Sequence, residues 1–514
     1  MATNKKKEDY IHTDSGIGGQ YKTWFLDYAS YVILERAVPA LEDGLKPVQR
    51  RILHAMKEMD DGRFNKVANI IGQSMQYHPH GDASIGDALV NLGQKDLLIE
   101  TQGNWGDNRT GDDAAAPRYI EARLSKFALE VAFNAKTTEW TVSYDGRKNE
   151  PVTLPMKFPL LLAQGAEGIA VGLATKILPH NFCELIDASV KCLRGKKFEL
   201  LPDFLTGGTI DPSNYNEGKR GGKVRVRSII EEQDKKTLVI KSVPYSVTTT
   251  QLMESIVKAN EQGKIKIKKV LDHTAADVEI IIELAPGISP DITIDALYAF
   301  TDCEVSISPN ACVIVANKPQ FLGVPELLRT ATENTKELLR RELEIKLAEL
   351  EQKWHYTSLE KIFFEEKIYK ELEKKHETWD KVLEAIDKAF TPFKNLLRRE
   401  IIREDIVKLT EKPVRRIYRL DIDELNDQIK GLEADIKQVK YDIGHLVDFA
   451  VAYYENLLKK FGKGRQRKTE IKQFDTIHAK SVAIANIKLY ANFADGFIGT
   501  GLKKDELIAE VSDL

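Results

Sequence analysis

The stretch "IDELNDQIKGLEADIKQVKYDIGHL", Ile422 to Leu446, places Ile422, Leu425, Ile429, Leu432, Ile436, Val439, Ile443 and Leu446 at steps of 3, 4, 3, 4, 3, 4 and 3 residues. That spacing is an a/d seam of more than three heptads, the pattern of a helix lying along another helix. The other reading is a long helix inside one globule, which such a regular seam rarely serves. A partner lies upstream. From Pro325 the composition becomes dense in Glu, Lys and Leu, and Leu339, Leu343, Leu347, Leu350 and Trp354 fall on one helical stripe. Between the two helices sits a helical piece, about residues 376–420, which contains "WDKVLEAIDKAF" and ends near Pro413. The simplest assembly is an antiparallel pair carrying a knob at its tip.

At 514 residues the chain exceeds what one hydrophobic core serves, which predicts three or four domains in all. From Tyr21 to about Ser143, stretches such as "YASYVILERAVPAL" and "PVQRRILHAMKEM" have helical period, and a mostly helical domain is expected. Between Leu201 and Asn317 the runs become β-branched ("GKVRVRSII", "KTLVIKSV", "DVEIIIEL", "NACVIVAN"), with one helix, "TTQLMESIVKANEQG", among them. A mixed α+β domain is expected there. After Leu458 comes "KKFGKGRQRKTE", a basic linker, then strand-like "KSVAIANIKLYAN" and "DGFIGTGL", read as the start of a truncated β domain.

Lys plus Arg total 75 against 78 for Asp plus Glu, so any basic surface must be local. Cys183, Cys192, Cys303 and Cys312 lack metal-ligand spacing, which argues for reduced thiols in a cytosol and against a zinc site. No segment reaches the roughly 18 to 20 apolar residues of a membrane span, and a soluble, cytoplasmic protein is expected. No GxxxxGK[ST] loop, HExxH or nucleophile elbow occurs, so nucleotide hydrolysis and metalloprotease chemistry are not supported.

In "GDDAAAPRYIEARLS", Gly111 to Ser125, an Arg-Tyr pair follows three alanines and a proline at what reads as a helix start. Tyrosine is a poor nucleophile, since a phenol titrates near 10. A neighbouring guanidinium favours the phenolate and can hold a phosphate oxygen as charge develops, which suits attack on a phosphodiester. Arg118 beside Tyr119 offers both, and the small residues before them leave room for a bulky duplex. From this stretch alone, a tyrosine merely packing on a helix is the commoner reading.

Three further groups could meet phosphates. In "YHPHGDASIGDALVNL", His78 and His80 flank a proline and lead into an amphipathic helix whose N-terminus favours anions; a capped turn with surface histidines fits as well. In "DGLKPVQRRILHAM", Lys46, Arg50 and Arg51 could sit on phosphate or form an ordinary solvated face. In "GGKVRVRS", period two puts Lys223, Arg225 and Arg227 on one strand face, a basic rail.

Taken together, "DGLKPVQRR", "YHPHGD", "QGNWGD", "AAAPRYIEARLS" and "GIAVGLAT...PHN" resemble, in order and spacing, the A subunit of bacterial type IIA DNA topoisomerases, with wording nearer topoisomerase IV than gyrase. The resemblance implies a multidomain α+β chain. It would comprise an N-terminal arm (1–29), a winged-helix (helix-turn-helix) cleavage domain (30–155), an α/β tower domain (156–324), a long antiparallel coiled coil with a helical exit-gate tip (325–462, tip near 376–420), and a linker with the start of a C-terminal β domain (463–514). It implies Tyr119 as nucleophile forming a 5′-phosphotyrosyl link, with Arg118 assisting, and DNA held by Arg36, Lys46, Arg50, Arg51, His78, His80, Lys223, Arg225 and Arg227. Ile169 matches the residue that wedges between base pairs; on sequence alone it would be assigned to the core.

Also implied are a homodimer acting on double-stranded DNA, and a B subunit that completes an A2B2 heterotetramer and carries both ATP and Mg²⁺, with no metal ligands in this chain. Two departures stand out: Gln49 replaces a common histidine, and Ala83 followed by Ser84 replaces the usual serine. Ala83, Ser84 and Asp87 would therefore form an altered fluoroquinolone anchor. No gyrase-box motif occurs, so DNA wrapping and negative supercoiling are not expected. The competing readings are a gyrase A core and a non-catalytic architectural DNA-binding dimer, for which Tyr119 is a packing residue.

Overall fold

The computed structural model describes residues 17–411, 422–478, 482, 487–493, 496–500 and 506–511. Most of the expected N-terminal arm, the end of the tip including Pro413, and parts of the C-terminal β segment lie outside the described residues. The chain divides into two compact units, one formed by Met1–Asn134, Thr138–Asn334 and Tyr454–Leu514, the other by Ala135–Thr137 and Thr335–Tyr453. Among the described residues no helix is long and apolar enough to cross a membrane. All four cysteines are free thiols.

In the first unit, helix α1 (Ile17–Val32) runs into a π-helical turn, Ile33–Ala37. Helix α2 (Pro47–Glu58) starts where Pro47 needs no N–H partner, and the Gln49 side chain accepts the Lys46 amide at 3.0 Å. Ile52, Leu53, Ala55 and Met56 bury its inner face. Helices α3 (Val67–Ser74) and α4 (Asp82–Gln94) pack on it, beside a three-stranded antiparallel sheet in which β3 (Glu121–Leu124) lies between β1 (Asn65–Lys66) and β2 (Ile99–Gln102).

The helix expected around Tyr119 is therefore not there. Residues Pro117 to Tyr119 form a turn, and Ile120, Ala122 and Leu124 alternate inward with the period of a strand. Helix begins only at Lys126, where the Ser125 hydroxyl caps the Ala128 amide.

Residues 201–317 carry both strands and helices, as their composition suggests. One four-stranded sheet has Thr237–Ile240 and Ile280–Leu284 at its centre, covered by the helices Thr249–Glu261 and Pro290–Phe300 over a core that includes Leu252, Ile256 and Leu297. A second joins Glu304–Ile307, Lys223–Arg227, Thr209–Asn214 and, in parallel, Glu470–Ile471. A separate hairpin pairs Ala166–Ile169 with Ala174–Ile177.

In the second unit the long helix Val324–Glu365, which belongs to it from Thr335 on, and the return helix Ile422–Gly444 share the seam read from sequence, with Leu347, Leu350 and Trp354 meeting Ile429, Leu432 and Ile436. The direction follows from two contacts. Glu351 pairs with Lys440 at 2.8 Å and Trp354 Nε1 donates to Glu433 at 3.1 Å, so one helix advances as the other recedes. Beyond them, Trp379–Phe390 and Arg403–Thr410 pack Leu383, Ile386, Phe390, Ile406 and Leu409 against Leu359 and Phe363, which gives the tip its own core.

Candidate functional site

Helix α4 buries Ile85, Leu89 and Leu92 and turns Ala83, Ser84, Asp87 and Asn91 outward along one stripe. Before it, the His-Pro-His turn splits its two imidazoles. His78 is buried, and its Nδ1 lies 3.2 Å from Arg51 Nη1; since a guanidinium only donates, Nδ1 accepts and the imidazole is neutral. Burial, reinforced by Arg51, pulls His78 down to about 4. His80 is half-buried and hydrogen-bonds the Tyr31 hydroxyl; burial and the nearby Arg36 lower it too. Arg36 is exposed.

Stability then depends on pH. The folded state keeps His78 neutral where an unfolded imidazole, titrating near 6.5, takes a proton. Unfolding therefore gains ground as pH falls from about 6.5 toward 4, and the contribution is restored as pH rises through that window. His78→Asn is expected to make the loss of urea stability between those pH values shallower than in the wild type; equal slopes would refute the assignment.

The Lys-Pro-Val-Gln-Arg-Arg element is less free than expected. Arg50, expected on a phosphate, turns inward: its Nε and Nη2 reach Asp43 at 2.5 and 3.0 Å, and both residues are buried. Arg51 forks onto Glu150 at 2.6 and 3.1 Å. Lys46 is half-buried, with Nζ donating to the Glu167 carbonyl at 2.6 Å; burial lowers its amine and Glu167 opposes the shift. The expected rail is also altered. Val224 and Val226 are buried as period two requires, but Arg225 and Arg227 both bind Glu304, at 2.8 and 2.5 Å, leaving Lys223 as the exposed cation of that strand.

Tyr119 is 63% exposed, and the Arg118 guanidinium lies 4.5 Å from its ring centroid. The turn is held at both ends of its helix-facing side: the Ala68 amide donates to Pro117 and the Val67 amide to Ile120, at 3.1 and 3.0 Å. Sequence reasoning missed the upstream anchor, in which the Arg109 guanidinium donates to the Ala276 carbonyl at 2.8 Å and the Arg109 carbonyl accepts the Thr249 amide at 2.7 Å.

Ile169 is 89% exposed, so the core assignment its side chain invites is wrong here. The reason lies beside it. A Cβ on Gly168 would sit 2.0 Å from the Ala37 carbonyl oxygen, so the hairpin packs its glycine backbone against the π-helical turn and presents Ile169 to solvent. A cavity of about 720 Å³ opens on the same side, lined by Arg36, Lys46, Asp87, Glu167 and Lys468 among others. Lys95 also lines it, a residue the sequence did not single out; enclosure and the nearby Lys46 pull its amine down to about 8.

A family model for the A subunit of DNA gyrase/topoisomerase IV matches residues 36–452. The A subunit of DNA topoisomerase 4 from Borreliella burgdorferi is 42% identical over 488 residues, covering 95% of this chain and 78% of that protein. The DNA gyrase A subunit of Chlamydia pneumoniae is 33% identical, covering 88% of this chain and 55% of its own length. For the DNA gyrase A subunit of Borreliella burgdorferi the identity is 35%, over 69% of this chain and 47% of that protein. The class is thus that of the type IIA DNA topoisomerases, which are enzymes. Within it, the chain belongs to the family of DNA gyrase/topoisomerase IV A subunits.

Proposed function

We propose that the chain is the DNA breakage-reunion subunit of a topoisomerase IV, with Tyr119 as its nucleophile. The observation that carries this is an exposed phenol stacked beside a guanidinium on a turn fixed by backbone hydrogen bonds. The phenol oxygen, its proton passing to solvent, forms a bond to phosphorus while the bond to the 3′ oxygen breaks; Arg118 stabilises the developing negative charge, and the leaving 3′ oxygen takes a proton from solvent and departs as the hydroxyl. One phosphoester replaces another, so resealing is the same exchange reversed.

In this reading α2 to α4 with their sheet form a winged-helix cleavage domain, and residues 156–324 form the tower. Residues 325–462 are the coiled coil whose tip closes an exit gate. DNA lies on the outward stripe of α4, with Lys46, Arg36 and His80 on its backbone and Ile169 as an apolar wedge, whose exposure suits unstacking of a base step. Two strands require two tyrosines, hence a homodimer, completed by a B subunit that supplies ATP hydrolysis and Mg²⁺. The protein works in the cytoplasm, on the nucleoid.

The test is to combine the chain with a B subunit, Mg²⁺ and uniformly labelled supercoiled DNA, and quench with detergent. The label is expected to stay with the chain, on the peptide that contains Tyr119. Salt-sensitive binding with no covalent label, beside an active partner, would leave the architectural dimer as the better account.

A further inference from the structure

We propose that the strap Lys463–Lys468 is an additional DNA-phosphate binding element, an inference that rests on the function proposed above. In sequence this segment, within "KKFGKGRQRKTE", looks like a loose basic linker. In the structure it is fastened. The Arg465 guanidinium lies 4.9 Å from the Phe182 ring centroid. Arg467 forks onto Glu184 at 2.7 and 2.5 Å and donates to the carbonyls of Pro202 and Leu201 at 2.8 and 3.0 Å. The Phe204 amide donates to the Thr469 hydroxyl at 2.7 Å, and the chain then joins the sheet beside Thr209 and Ile210.

Fastening uses Arg465, Arg467 and Thr469, every second residue, as in an extended chain. The alternate positions face out: Gln466 and Lys468 are exposed, as is Lys463 at the head of the strap. Neither lysine has an ion pair among the described residues. Anchoring is complete without them, so it does not account for their charge.

Lys468 and Gln466 line the same cavity as Lys46 and Arg36, opposite the outward stripe of α4. Two of the four acidic residues that line the cavity, Asp203 and Glu167, are already engaged, while Asp87 lies across it on α4 and Asp96 just after that helix. Asp203 accepts the Lys468 and Thr469 amides and the Asn181 side chain, at 3.0, 2.9 and 2.9 Å, and Glu167 pairs with Lys176 at 3.2 Å. A duplex resting on α4 and Lys46 therefore presents a strand of phosphates to Lys468, held on a rigid backbone, and Lys463 stands exposed at the head of the same strap for the phosphates beyond the cavity. Rigid placement lowers the ordering cost of each contact.

The test measures binding of a short fluorescent duplex by the A and B subunits together, as a function of salt, for the wild type, Lys463→Gln/Lys468→Gln and Lys46→Gln. Removing one lysine–phosphate pair lowers the slope of log K against log salt by about 0.9, so the double variant is expected to lose up to about 1.8 with an unchanged melting temperature. A reduced slope supports the strap. If Lys46→Gln lowers the slope and the double variant keeps that of the wild type, the strap proposal falls alone. If the wild type binds without salt dependence, the DNA reading and the strap fall together.

Discussion

Tyr119→Phe is expected to abolish covalent DNA cleavage and strand passage, a loss on the order of 10⁴-fold or more, with folding and duplex affinity unchanged. The size follows from removing the atom that forms the new bond, for which a phenyl ring has no substitute. The absence of a folding penalty follows from the geometry. The side chain is 63% exposed, and the turn is held by the Pro117 and Ile120 carbonyls and by the Tyr119 amide, which donates to Ala116 at 2.8 Å. None of these involves the hydroxyl. Arg118→Ala keeps the nucleophile and removes charge stabilisation, so its expected loss is smaller, about 10²- to 10³-fold in cleavage rate. Detergent-trapped adduct and decatenation measured beside duplex binding separate the two variants. Cleavage by Tyr119→Phe at the wild-type rate would exclude this residue as nucleophile.

Patterns that report burial alone were legible in sequence. In the 3,4 seam Leu425, Leu432, Ile436 and Val439 are buried, with Ile429, Leu432 and Ile436 packed on the long helix, and Val224 and Val226 alternate inward as period two requires. Partners were not legible. Glu304 lies far along the chain from Arg225 and Arg227, and only the register of their strands brings the three together and engages both guanidinium groups of the expected rail on one carboxylate. The turn at Tyr119 is not legible because Ile120, Ala122 and Leu124 suit a short strand as well as a helix edge, and the pairing with Ile99–Gln102 decides between them. Ile169 was invisible for a different reason. Its side chain is apolar, and its exposure is set by the approach of Gly168 to Ala37.

The same distinction between charge type and charge partner governs the second large effect. Asp43→Asn is expected to destabilise the first unit by about 3 to 5 kcal/mol, because it leaves the Arg50 guanidinium buried without its counter-charge. Asp43 also accepts the Leu45 amide at 3.1 Å and the Leu154 amide at 3.0 Å, so its carboxylate joins the entry to α2 to a segment more than a hundred residues away. An asparagine oxygen can serve only part of this set, and its amide hydrogens face donors. Arg50→Met should cost less. The Asp43 carboxylate keeps two amide donors, and an apolar chain of similar length fills the channel without a charge. The measurement is the urea midpoint of both single variants and the pair, where a drop of about 1 M is expected for Asp43→Asn. If Arg50 instead held DNA, Arg50→Met would weaken duplex binding and lower its salt slope at unchanged stability, and Asp43→Asn would leave the midpoint in place. Its buried geometry predicts the reverse, which separates the first arginine of the motif from the half-buried Lys46, four residues earlier, which lines the cavity.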